Sequence, residues 1–173
     1  QVPSIYGGQI NDILLTSLAL TLTSWTGETS LLIDLESYGR FTEDLDLSRT
    51  VGWFTCLYPV CLSINTDSPV SQQVREIKNQ LQSVPHGGLS YGLLRYLNHQ
   101  KELAITPAIG FNYLGQLDKS QSDEFRRIPS PAANQAPNNQ QLHQIDINSW
   151  VEAGEFSVEW TFSPGSHQSE TIQ

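Results

Sequence analysis

Positive charge is scarce in this chain. Nine lysines and arginines stand against eighteen aspartates and glutamates, a formal net charge of −9. The basic residues are scattered, apart from the adjacent Arg126 and Arg127. A nucleic-acid backbone needs a basic patch to neutralise its phosphates, so this balance argues against nucleic acid as a partner. It argues against an anionic membrane surface for the same reason. Long apolar runs are lacking too. The longest, Val51 to Ile64, is interrupted by Gly52, Thr55, Pro59 and Ser63, and falls short of the roughly 20 apolar residues of a spanning helix. No basic stretch followed by an apolar one opens the chain, so no signal peptide is read. Cysteine is limited to Cys56 and Cys61. If their segment is one regular strand, the odd spacing puts them on opposite faces. That argues against an internal disulfide and for buried, reduced thiols in a cytoplasmic protein. His86, His99, His143 and His167 have no metal-ligand spacing among themselves or with the cysteines, so no metal is expected.

What is present suits a folded lobe. Hydrophobic residues make up 38% of the 173 and charged residues only 16%, a balance that builds a core and does not describe a disordered chain. Asn11 or Asp12 is positioned to cap a first helix, with Ile10, Ile13, Leu14, Leu18, Leu22 and Trp25 on its buried face and Gly27 at its end. Leu31 to Glu36 reads as a strand that alternates Leu31, Ile33 and Leu35 against Leu32, Asp34 and Glu36. A turn follows at Ser37 to Arg40, and then an acidic loop through Asp46. Val51 to Ile64 reads as β structure in which Pro59 implies an edge or a bulge, with Val51, Trp53 and Phe54 as core. Asp67 or Ser68 caps a second helix with Pro69 in its first turn and Val70, Val74, Ile77, Leu81 and Val84 as its stripe; Pro85 stops it. Gly87-Gly88 reads as a loop and Leu89 to Asn98 as a short helix. Ile109 to Leu117 reads as a strand. Lys119 to Gln141 is rich in Ser, Pro, Asn and Gln and is expected to be a mobile excursion. The end reads as a hairpin, Ile145 to Val151 and Phe156 to Phe162, turning at Ala153-Gly154. The layout is mixed α/β, without a P-loop, a dinucleotide fingerprint, a nucleophile elbow or an internal repeat.

Four core segments, and the tail besides, carry a resemblance. Asp46 to Pro59, D-L-S-R-T-V-G-W-F-T-C-L-Y-P, is similar to the pattern D-x-S-R-T-V-G-W-F-T-S-x-Y/F-P of epimerization domains in nonribosomal peptide synthetases. Cys56 stands where that pattern has Ser. Leu35 to Arg40 resembles L-E-G-H-G-R, with Ser37 and Tyr38 departing from it. Pro85 to Gly92 resembles P-x-x-G-x-G-Y-G, with Ser90 for Gly. Phe111 to Gln116 matches F-N-Y-L-G-Q in full, and Trp160 to Ser163 with His167 and Glu170 to Ile172 is similar to the family's tail. The family's N-terminal lobe carries H-H-x-x-x-D-G, and this sequence has no His-His pair. The whole chain, 1–173, therefore resembles the C-terminal lobe of such a domain, with Gln173 falling inside a closing helix.

The resemblance implies a fold and a chemistry. The fold is a chloramphenicol-acetyltransferase-like lobe, a mixed sheet with flanking helices, which with its partner lobe encloses a tunnel. The activity is epimerization at the α-carbon of an aminoacyl or peptidyl thioester, from L to D. No cofactor is bound directly; the substrate arrives on the phosphopantetheine arm of a peptidyl carrier protein. The other partner is the N-terminal lobe, and isolated copies of this lobe are expected to expose an apolar face through which they can self-associate. Glu36 is implied as the acid/base carboxylate, with Asn112 and Tyr113 lining the site. Strand alternation would send those last two to opposite faces unless the strand is bulged there. Arg40, Tyr38, Ser48 and Thr55 are implied in support, with Arg40 holding a carboxylate or orienting the turn. Gly88 and Gly92 are read as backbone-geometry residues. A phenol at position 38 does not carry protons near neutral pH as an imidazole does. Two other readings stay open: a peptide-bond-forming condensation domain, whose usual V/I-G-x-F-x-N-T differs from the W-F-T found here, and a non-catalytic module that docks a carrier protein.

Overall fold

The structure, a computed structural model, describes residues 5–40, 45–117 and 140–172. The chain divides into two units, Gln1–Pro107 and Ala108–Gln173.

The first unit opens with helix α1, Ile10–Thr26. Its N-cap is Gln9, and the expected cap Asp12 sits three residues on, where its carboxylate accepts the Gln9 N–H at 2.7 Å in a reciprocal capping box. Gly27 ends the helix as expected, in the left-handed region (φ +76°), its N–H donating to the Thr23 carbonyl. The buried stripe differs from the expected one. Leu15, Leu18, Ala19 and Leu22 are buried, whereas Ile10, Ile13 and Leu14 are half-buried and Trp25 is exposed. Apolar residues lie nearly all round this helix, so its packing partners decide which face is buried, and periodicity alone could not.

Strands β1, Ser30–Ser37, and β2, Cys56–Ser63, pair antiparallel from Ser30 opposite Ser63 to Ser37 opposite Cys56. The face bearing Leu31, Ile33 and Leu35 meets Leu62, Val60 and Tyr58 in register and is buried. Helix α2, Val70–Gln82, begins after Pro69 and buries Gln73, Val74 and Ile77; Val70, expected in the stripe, is exposed. Gln80 fixes α2 to the end of β2. Its amide accepts the Ser63 N–H at 2.7 Å and donates to the Ser63 carbonyl at 2.8 Å, as a neighbouring strand would. A 3-10 turn, Pro85–Gly88, follows, then helix α3, Leu89–Gly92, which runs into a π turn at Leu93–Leu97.

Three expectations need correction here. β structure begins at Cys56, five residues later than expected, because β1 ends opposite it and the preceding residues have no ladder partner among the described residues. Val51 and Trp53 are accordingly not core; they are 99% and 90% exposed. Both thiols are free, but Cys61 is exposed and Cys56 only half-buried, since Cys61 takes the outer face of β2.

In the second unit, β3, Ile109–Gln116, runs parallel to β4, Ile145–Glu152, which pairs antiparallel with β5, Glu155–Phe162. The β4–β5 connection is Ala153-Gly154, both at positive φ (+52° and +79°), as a two-residue hairpin of matching twist requires. A short helix, α4, spans Ser169–Ile172. Of the excursion expected at Lys119 to Gln141, residues 119–139 lie outside the described ones, as does Gln173.

Gly88 is one of the tight points of the first unit. It lies at φ +88°, and a side chain there would overlap the ring of Tyr58. Gly88→Ala is expected to destabilise the fold by about 2–4 kcal/mol, through left-handed strain and overpacking together. Urea unfolding measures this, and an unchanged midpoint would remove the ring from this contact. Burial, and after it the charge of Cys56, raises the Tyr58 phenol above its usual 10.0. The unfolded chain then ionises first, so the stability from a neutral Tyr58 is present below about pH 10 and is lost as pH rises through the folded value. Tyr58→Phe is expected to lose less stability between neutral and strongly alkaline pH than the parent does, read as unfolding midpoints at both.

Candidate active site

Glu36 is the penultimate residue of β1, exposed, and opposite Leu57. Alternation puts it on the outer face of the ribbon with Asp34. Asp34 is buried at 7% exposure, so two carboxylates lie two residues apart on one face, one inside and one outside. Alternation showed their shared face in the sequence; the burial of Asp34 had no sequence signal.

Past Glu36 the chain is held from both sides. The Ser37 hydroxyl donates to the Gly87 carbonyl at 2.8 Å, joining the L-E-S-Y-G-R segment to the Pro85–Gly88 turn. Gly39 then passes directly under the Phe54 carbonyl, at φ +67°, where a side chain would collide with that oxygen. Arg40 completes the contact. Its guanidinium donates to the carbonyls of Leu47 and of Thr50, the second at 2.9 Å, and lies over the rings of Phe54 at 4.0 Å and Tyr38 at 5.4 Å. Through these contacts Arg40 organises the Leu47–Thr50 loop. Two segments separate in sequence are thereby brought together.

Tyr38 is 73% exposed. Ser48 is committed to Asp46: its hydroxyl and its N–H, the latter at 3.0 Å, bond the carboxylate and hold that acid below its ordinary value. Thr55 is exposed, one residue before β2. Tyr38, Leu45, Val51 and Trp53 are all strongly exposed, an apolar surface around the Arg40 loop. Gly92 has open space where a side chain would go, so the geometric constraint read for both glycines applies to Gly88 alone.

Asn112 and Tyr113 lie on β3 in the second unit. The register with β4 is regular at both, Asn112 opposite Asn148 and Tyr113 opposite Ser149, and the irregularity falls between Tyr113 and Gln116, where Gly115 takes φ +83°. No bulge therefore reorients the pair, and alternation sends them to opposite faces. Tyr113 shares the face of the buried Phe111, Ile145, Ile147 and Ser149. Asn112 shares its face with Asp146 and Asn148 of β4 and, through the β4–β5 register, with Glu159 and Thr161. Chemically, an exposed carboxylate can accept and return a proton, and a carboxamide can donate to a developing oxyanion. Among the described residues no three His, Cys, Asp or Glu side chains gather as metal ligands, and no helix is long and apolar enough to cross a membrane.

The family model described as Condensation domain matches residues 1–173. A linear gramicidin synthase polypeptide of Brevibacillus parabrevis is 42% identical over 186 residues, covering all of this chain and 4% of that protein. Chondramide synthase of Chondromyces crocatus is 41% identical over 179 residues, covering 99% of this chain and again 4% of that protein. Among solved structures, the epimerization domain from the third module of tyrocidine synthetase B superposes with a TM-score of 0.80 at 30% identity, covering 96% of this chain and 39% of that one. The first condensation domain of the CDA synthetase gives 0.64 at 11% identity, covering 98% and 37%. The chain thus spans a small part of the synthetases it matches and well under half of the solved domains. These likenesses carry the expected fold, a chloramphenicol-acetyltransferase-like lobe of mixed sheet and flanking helices. With every residue covered by the family model, the chain belongs to the condensation-domain family of nonribosomal peptide synthetases.

Proposed function

We propose that this chain is the C-terminal lobe of an epimerization domain, which inverts the α-carbon of a carrier-bound aminoacyl or peptidyl thioester. One observation carries the choice within the family. The likeness to the tyrocidine epimerization domain, TM-score 0.80 at 30% identity, exceeds that to the condensation domain, 0.64 at 11%. The W-F-T form of Trp53 to Thr55 supports the same choice.

The chemistry follows from the thioester. Its carbonyl acidifies the α-hydrogen because the conjugate base spreads charge onto oxygen. Glu36 takes the α-proton, the electron pair moves onto the thioester oxygen, and Asn112 donates to that oxygen through its carboxamide. A group from the other lobe returns a proton to the opposite face. Domains of this family need no cofactor of their own, and the substrate is delivered on the phosphopantetheine arm of a carrier protein. Arg40 serves by holding the Leu47–Thr50 loop beside the strand end that bears Glu36.

In the two-lobed domain, Glu36→Gln is expected to lower α-deuterium washout by about 10²- to 10⁴-fold, the worth of a positioned acid/base. Its melting temperature should hardly move, because Glu36 is an exposed strand-end residue. Chiral analysis of the hydrolysed product checks the same loss. A variant that keeps more than about a third of the parent rate, far above what a lost proton carrier allows, removes Glu36 from the mechanism and favours condensation or carrier docking. The 173-residue chain alone, offered the same thioester, is expected to exchange the α-hydrogen no faster than buffer does. Exchange well above that background would overturn the need for a second lobe.

A further inference from the structure

Charge is unevenly distributed along the first unit. From Ile77 to Pro107 the sequence holds a single acid, Glu102, against Lys78, Arg95 and Lys101. The chain as a whole carries −9, so this stretch stands out as the one suited to an anionic partner. Within it, Arg95 is held in place. It is half-buried in the π turn Leu93–Leu97. Its Nη1 donates to the Tyr91 hydroxyl at 2.6 Å and to the Ile105 carbonyl at 3.0 Å, and the Tyr91 hydroxyl donates in turn to the Leu103 carbonyl at 2.8 Å. The guanidinium lies 5.7 Å from the centre of the Tyr91 ring and 5.1 Å from that of Tyr96. Both of its hydrogen bonds use one nitrogen. Among the described residues, Nη2 and Nε keep their donors, and these are the pair that a guanidinium offers side-on to a phosphate or a carboxylate.

The surface around this fork is apolar. Leu93, Tyr96 and Leu97 are exposed, Leu97 at 74%. A fixed arginine among exposed aromatic and aliphatic side chains has the composition of an interface anchor, not of an ordinary solvated face. It also lies close to the proposed chemistry. Ser37, next to Glu36, bonds the Gly87 carbonyl at 2.8 Å. Arg95 follows Gly88 by seven residues of helical turns, about 10 Å at the rise of an α-helix. A phosphopantetheine arm, two amides on saturated links, spans about 15 Å when extended, as a peptide with the same number of bonds does. The two lengths are of one order.

We propose that Arg95, with Leu93, Tyr96 and Leu97, is a docking surface for the carrier protein, and that Nη2 and Nε of Arg95 take the phosphate at the root of the phosphopantetheine arm. The assignment rests on the carrier-fed reading given above. The apolar side chains cover the carrier surface around the arm. The fork fixes the phosphate at one end, and the arm carries the thioester from there to the strand end that bears Glu36. Arg95 touches the phosphate and not the reacting atoms, so it acts on capture of the substrate and not on its turnover.

The test uses the complete two-lobed domain and two substrates: an aminoacyl thioester on the holo carrier protein, and the same aminoacyl group on N-acetylcysteamine, which has neither protein nor phosphate. Both are followed by α-deuterium washout. Arg95→Gln is expected to raise KM for the carrier substrate about tenfold, the worth of a hydrogen bond to a charged group, with kcat and the rate on the short thioester unchanged. Leu97→Asp sets a carboxylate on the same surface at an exposed position, so it should raise KM for the carrier substrate and leave the melting temperature in place. It also decides the matter if Arg95→Gln does not fold. Calorimetric titration with apo and holo carrier separates the contacts: holo should bind more tightly, and Arg95→Gln should remove that advantage. An unchanged KM in both variants, or an equal loss on the short thioester, overturns the docking surface. An Arg95→Gln loss that is equal for apo and holo carrier overturns the phosphate contact. A parent domain that binds holo carrier through these residues without washing out α-deuterium overturns the epimerization reading and leaves the docking surface standing.

Discussion

The first unit is organised around one close approach, the passage of the Gly39 backbone beneath the Phe54 carbonyl. It is possible because residue 39 has no side chain and takes a left-handed conformation. Once the chain has turned there, Arg40 faces the loop that it holds, reaching two carbonyls while its flat cation lies over two rings. A lysine could offer the charge but not the fork and the plane together. The end of β1, and Glu36 with it, inherits its position from this junction and from the Ser37 bond to the Pro85–Gly88 turn.

Much of this architecture is legible in the sequence, for identifiable reasons. Gly27 stops α1 because a left-handed cap is cheap only for glycine. Leu31, Ile33 and Leu35 bury one face because the strand period is two. Ala153-Gly154 closes a hairpin because both residues adopt positive φ. Expectation and structure part where pattern is silent about neighbours. Trp25, Val51 and Trp53 are large and apolar, which predicts a wish to be buried but not a partner to be buried against. Leu15 and Ala19 escape a periodicity reading because α1 is apolar on several faces at once.

The members proposed for the candidate site come from the resemblance, and their bonding does not. Resemblance names Glu36, Arg40 and Asn112, and alternation separates Asn112 from Tyr113, as the register of β3 and β4 also does. Nothing local in the sequence marks Asp34 as buried or sets the Gly39 backbone beneath the Phe54 carbonyl. Those facts depend on which backbones approach, a long-range property that a residue's own neighbours do not encode.

Pro59 stands in the middle of β2, opposite Asp34, and β2 has β1 as its one ladder partner among the described residues of its unit. A strand with an unpaired side is a template for another chain, and proline has no N–H to offer to it. The row of donors along that edge is therefore interrupted at its centre. An intruding strand would find a gap in the ladder and the rigid ring of Pro59 in its path. This interruption guards that edge of β2 against pairing with a strand of another chain.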